Sequence, residues 1–98
     1  MHSAHGPPAP YPVRHDAERS RFVVDLPEGE AELLYGELSE DVLDLQHTEI
    51  PPAGRGKGVG DALVRAALRY AGERGARVIA TCPYVQTWLR RHPDERPT

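Results

Sequence analysis

The chain has 98 residues, enough for one small domain that buries roughly two-thirds of its unfolded surface around a single thin core. Its 39% hydrophobic and 28% charged fractions are ordinary for a globular protein, and a net charge of −3 supplies no basic footprint for nucleic acid. No apolar run is long enough to span a bilayer, Met1–Pro12 lacks the apolar centre of a signal peptide, and a lone cysteine makes no intrachain disulfide. These features lead us to expect a cytoplasmic protein with neither nucleic acid nor membrane as its partner.

Residues 1–15 read as a flexible Pro/His-rich arm, because Pro7, Pro8, Pro10 and Pro12 remove backbone donors and favour extended, solvated chain. His2, His5 and His15 are metal-ligand types, but in this composition a tail is the simpler reading. A domain over residues 16–93 follows, with residues 94–98 as a frayed end. Arg21–Leu26 is β-branched and aromatic and stops at the turn sequence Pro27-Glu28-Gly29. Residues 30–38 pair with it as a hairpin, and Val42–Ile50 forms a third strand closed by Pro51-Pro52. Val59–Arg74 is the clearest helix: Val59, Leu63, Ala66, Ala67, Tyr70 and Ala71 share one face, while Asp61, Arg65, Arg69 and Glu73 form a polar stripe. Residues 77–81 make a short strand, and Pro83 opens a second helix that ends before His92-Pro93. The order implies an α/β (α+β) fold, a mostly antiparallel sheet with one right-handed parallel β-α-β crossover and a C-terminal helix.

Between the third strand and the long helix, Gly54, Gly56, Gly58 and Gly60 alternate, with Arg55 and Lys57 between them. Glycine admits positive φ and close backbone approach, and a helix N-terminus presents unpaired N–H groups and the positive end of its dipole, so the segment suits a phosphate group. It is not a Walker loop, since Gly56-Lys57 is followed by Gly58 rather than by a magnesium-binding Ser or Thr. Nor is there room for the repeated strand–helix units of a Rossmann domain.

Arg55-x-x-Gly58-x-Gly60 resembles the Arg/Gln-x-x-Gly-x-Gly/Ala signature of the GCN5-related N-acetyltransferases. His47-Thr48-Glu49-Ile50-Pro51, Gly54–Gly60, Cys82-Pro83-Tyr84-Val85 and Arg91-His92-Pro93, in that order, are similar to the small single-domain YjdJ/NATD1 type within that superfamily. The resemblance covers about Arg21–Pro93 and implies a trimmed acetyltransferase fold. In such a fold a cleft for acetyl-CoA or CoA lies beside the glycine turn, where two parallel strands splay. It also implies that Gly54, Arg55, Gly56, Lys57, Gly58, Val59 and Gly60 hold the pyrophosphate, and that His47 and Cys82 are active-site residues.

Acetyl transfer to an amine needs a polarised thioester carbonyl, a base for the amine and a means of stabilising or protonating the departing thiolate. Backbone N–H groups near Ile50 are placed to hold the carbonyl or the pantetheine amides. His47 and Glu49, two apart on one strand, share a face with Leu43 and Leu45 on an unbroken alternation. His47 is the better base at neutral pH, and Glu49 is a second base or orients it. Cys82, just before a helix, is a nucleophile that accepts the acetyl group, an acid for the CoA thiolate, or a small buried hydrophobe. Tyr84 and Trp88 share a helix face and pack either on CoA or in the core. The expected function is an acetyl-CoA-dependent N-acetyltransferase with a small-molecule or protein amine as acceptor. The alternative is a CoA-binding module or sensor with little transfer activity. A monomer or weak homodimer is expected, since Phe22 and the first hairpin either cap the core or form an interface.

Overall fold

A run of β-branched and aromatic residues alternating with charges builds a sheet with one apolar face. The computed structural model, which describes residues 11–97, forms it from five strands: β1 (Arg14–Asp16), β2 (Arg21–Leu26), β3 (Gly29–Ser39), β4 (Val42–Glu49) and β5 (Arg77–Ala80). They lie in chain order, antiparallel throughout except for β5, which runs parallel to β4 at the edge. The crossover between β4 and β5 carries helix α1 (Val59–Glu73), and helix α2 (Pro83–Arg91) follows β5. Phe22, Val24, Leu33, Leu43, Leu45 and Val78 line the apolar face. They pack against the stripe Val59, Leu63, Ala67 and Ala71 of α1 and against Val85, Trp88 and Leu89 of α2. Burying each large aliphatic side chain contributes about 1.5–3 kcal/mol, which offsets the ordering of so short a chain. Among the described residues, no helix is long and apolar enough to cross a membrane, and no three His, Cys, Asp or Glu side chains converge as metal ligands.

The ends of the domain differ from expectation. β1 begins at Arg14, inside the span read as a flexible arm. Three residues carry no periodic signal, and what holds them is non-local. The Arg14 guanidinium meets Asp25 at 2.8 Å and Glu30 at 2.9 Å, and His15 stacks on Phe22 at 4.4 Å with Nε2 2.7 Å from the Tyr35 hydroxyl. His2, His5 and the rest of the arm up to residue 10 lie outside the described residues. At the other end, residues 93–97 are tied down rather than frayed. Glu95 pairs with Arg65 of α1 at 2.8 Å, and Arg96 donates to the Val78 carbonyl on the free edge of β5 at 3.2 Å. An edge carbonyl without a strand partner needs such a donor.

On the face opposite Leu43 and Leu45, β4 and β5 are joined by Asp44, a carboxylate only 7% exposed. Its Oδ1 accepts from the Thr81 N–H at 3.0 Å and from the Thr81 hydroxyl at 2.9 Å. Replacing Asp44 with Ala removes the acceptor of the Thr81 hydroxyl and leaves the Thr81 N–H to the Leu45 carbonyl alone, and is expected to cost about 1 kcal/mol in urea unfolding. Asp44→Asn keeps one acceptor oxygen and should recover most of that loss.

Candidate active site

The site begins with an irregularity in β4. Leu45 pairs with Tyr35 but His47 pairs with Leu34, so Gln46 is an extra residue, a β-bulge, on the β4 side. A one-residue slip turns every later side chain to the other face. Thr48, opposite the buried Leu33, takes the core side. His47 and Glu49, opposite Leu34 and Glu32, take the outer side and do not share a face with Leu43 and Leu45 as an unbroken alternation would require. The two remain together: His47 Nε2 lies 3.5 Å from Glu49 Oε1, with their side chains 57% and 71% exposed. A pair so wet holds orientation weakly.

β5 parts from β4 at the same level. The last parallel pair is Leu45 with Ala80, and the Leu45 carbonyl accepts from both Thr81 N–H and Cys82 N–H at 3.0 Å. Beyond it the chains diverge, β4 towards Ile50 and the other into α2. The turn from Ile50 to α1 faces this gap. Pro52–Gly54 forms one 3-10 turn, closed by Gly54 N–H to Pro51 O at 2.8 Å and Arg55 N–H to Pro52 O at 3.2 Å. The Arg55 Nε folds back to the Ile50 carbonyl at 3.2 Å, which keeps its charge against the strand end. Gly58 stands before α1 at φ 91°, a left-handed conformation that suits glycine. The first intrahelical bond runs from Ala62 N–H to Gly58 O, so the amides of Val59, Gly60 and Asp61 are the helix's first-turn donors and have no intrahelical acceptor.

Strand end, turn and α2 enclose a cleft of about 530 Å³. Of the residues expected to hold the cofactor, Ile50, Gly54, Arg55, Gly56, Gly58, Val59, Gly60 and Tyr84 line it, as do His47 and Glu49. Lys57 is exposed on the turn and outside the lining. Thr48 and Asp61, not singled out in the sequence, also line the cleft. Cys82 does not. It is 4% exposed within the core cluster, its Sγ 3.6 Å from Thr48 Oγ1. The alternation Val78, Ala80, Cys82 carries its side chain inward with the core face of β5. Trp88 is also core: its ring stacks on His92 at 4.0 Å, and its Nε1–H donates to Asp61 Oδ1 at 3.0 Å. His92 Nδ1 lies 2.8 Å from the Trp88 carbonyl, so the His-Pro pair caps and ends α2.

Tyr84 is 42% exposed and lies over Gly60. A Cβ on Gly60 would stand 2.8 Å from the Tyr84 Cζ and 3.1 Å from the Ile50 Cδ1, so only glycine leaves the phenol its place. Partial burial, followed by the nearby Asp61 carboxylate, pushes the Tyr84 hydroxyl above its ordinary range.

Comparison with known proteins gives the family of the chain. Residues 21–97 match the family described as GCN5-related N-acetyl-transferase, and the chain belongs to that family. It is 40% identical to protein NATD1 of Bos taurus over 86 residues, spanning 86% of this chain and 76% of that one. Against NATD1 of Homo sapiens the identity is 38% over the same shares. Among solved structures, a GCN5-like protein from Staphylococcus aureus matches with a TM-score of 0.67 at 21% identity, covering 87% of this chain and 83% of that one. Ard1 of Thermoplasma volcanium matches with a TM-score of 0.62 at 18% identity, covering 80% and 57%. The two structures share the fold.

Two glycine variants separate backbone strain from crowding. Gly58→Ala meets no atom but must hold a left-handed φ, so it is expected to lose about 1–2 kcal/mol in urea unfolding. Gly60→Ala is expected to change the urea midpoint little, since Tyr84 swings outward, and to shift the Tyr84 ring resonances in NMR.

Proposed function

We propose that the protein is an acetyl-CoA-dependent N-acetyltransferase whose glycine turn holds the pyrophosphate of the co-substrate. The observation that carries this reading is the set of unpaired first-turn amides of α1, opening on a cleft formed where β4 and β5 part, with Arg55 beside them. Acetyl-CoA supplies an activated acetyl thioester. The residues of this chain bind it, take a proton from the amine and return one to the leaving sulfur.

His47, at the cleft rim, is the base for the acceptor amine, with Glu49 beside it as a second base. The proton for the CoA thiolate comes from Tyr84 rather than Cys82. The phenol lines the cleft and is held protonated, whereas the cysteine is packed in the core. The raised hydroxyl keeps Tyr84 in its donor form through neutral pH and loses it only on the alkaline side of 10.0, the ordinary tyrosine value.

A second reading, a CoA-binding module with little turnover, draws support from the exposure of His47 and Glu49. Thiol release from acetyl-CoA, followed with a panel of polyamines, amino acids and lysine peptides, separates the two. The enzyme reading expects amine-dependent release that falls about 100-fold in kcat for Tyr84→Phe with KM for acetyl-CoA nearly unchanged, while Cys82→Ala stays active. Absence of release with every amine, alongside retained CoA binding, would leave the binding module. An acetyl adduct on intact protein that disappears in Cys82→Ala would restore the cysteine as nucleophile.

A further inference from the structure

The placement of Tyr84 depends on a residue outside the roles just described. We propose that Asp61 is a positioning residue for Tyr84: by fastening Trp88 one helical turn beyond it, the Asp61 carboxylate holds the phenol hydroxyl at Gly60, against the glycine turn. The role given to Tyr84 rests on the acetyltransferase reading; the latch itself does not.

Two neighbouring residues at the start of α1 meet two residues one turn apart on α2. Gly60 receives the Tyr84 ring, and Asp61 Oδ1 accepts the Trp88 Nε1–H at 3.0 Å. Tyr84 and Trp88, four apart, lie on one face of α2, so fixing one sets the height and rotation of the other. α2 is nine residues long, too short to hold its own orientation, and its register against α1 must come from such contacts. Trp88 is clamped from several sides. His92 stacks on its ring at 4.0 Å, and the Arg65 guanidinium lies 5.2 Å from its centroid. The indole N–H, buried at this junction, needs an acceptor, and Asp61 provides it.

Asp61 is itself fixed. Its second oxygen accepts from Arg65 Nε at 3.0 Å, and Arg65 reaches on to Glu95 at 2.8 Å. Each carboxylate oxygen thus has one donor, and the ion pair with Arg65 offsets a negative charge that would otherwise sit at the mouth of a phosphate-binding turn. An acid in the first turn also suits the dipole of α1. The charge serves a second purpose: together with burial, and with Cys82 at the start of α2, it opposes ionisation of the Tyr84 phenol.

The experiment uses the full chain without ligand, so its outcome does not depend on acetyl-CoA. In Asp61→Ala, the Trp88 indole N–H is expected to exchange with solvent at least ten-fold faster, and the nuclear Overhauser contacts between the Tyr84 ring and Ile50 to disappear. Trp88→Phe, which keeps the ring and removes the donor, should lose the same contacts. Asp61→Asn retains an acceptor and should preserve them, while the Tyr84 phenol, followed by carbon-labelled tyrosine NMR, titrates at lower pH than in the parent. The groups that bear on this titration are Asp61 from α1 and Cys82 from the start of α2. Unchanged Tyr84–Ile50 contacts in both Asp61→Ala and Trp88→Phe would overturn the latch, as would their loss in Asp61→Asn. If the latch signals behave as expected and no amine releases thiol, the acetyltransferase reading fails and the positioning of Tyr84 stands.

Discussion

The carbonyl of Leu45 accepts two N–H groups, those of Thr81 and Cys82, and is the last point at which β4 and β5 are joined. One residue later Gln46 bulges out of register with β3, and the rest of β4 turns over. These two events open the sheet along one line. The bulge sends Thr48 inward to face Cys82 and His47 outward to the rim, while the release of β5 leaves a gap that neither strand fills. Parallel neighbours that part in this way free backbone donors and acceptors between them, which is costly unless another group takes them up. Arg55 takes one such acceptor, the carbonyl of Ile50. The remaining space is the cleft.

The field at the cleft comes from partial charges more than from formal ones. The chain as a whole is acidic, at −3, yet the amides at the start of α1 point a positive dipole end at the gap, with Arg55 held beside it by the strand end. The nearest acid, Asp61, is matched by Arg65 and by the indole of Trp88, so its charge does not oppose an anion in full. The same carboxylate bears on Tyr84, so one residue contributes to anion tolerance, helix register and phenol ionisation.

Most of the fold is legible in the amino-acid order because it rests on local pattern. The apolar stripe of α1, the turn at Pro27-Glu28-Gly29 and the β-branched and aromatic run of β2 each declare themselves within a few residues. What escapes is non-local. Strand β1 exists because Arg14 and His15 find partners 11 to 20 residues away. The Gln46 bulge has no signature of its own, since glutamine fits an ordinary strand position, and it alone decides which way His47 and Glu49 point. The glycine turn and most of its lining can be read directly. The inward course of Cys82 is also readable, from Val78, Ala80 and Cys82 in alternation, although its place before a helix draws attention to its reactivity instead. The tie from Trp88 to Asp61 spans 27 residues and is visible only once α1 and α2 are side by side. It turns Trp88 from a candidate ligand contact into the support of one.

The family of the chain and its fold are clear from sequence and structural similarity together, and the relatives named NATD1 extend that likeness across most of the molecule. The central claim is narrower: the first-turn amides of α1 and the glycine turn before it form a site for the pyrophosphate of coenzyme A. The direct measurement is a titration of isotope-labelled protein with coenzyme A, read at the backbone amides. Binding through the turn predicts saturable shifts at Gly56, Gly58, Val59 and Gly60, followed by Thr48 and Ile50, with β1 and the β2–β3 hairpin unmoved. Saturable binding that leaves those glycine amides unchanged, or no binding at all, would contradict it.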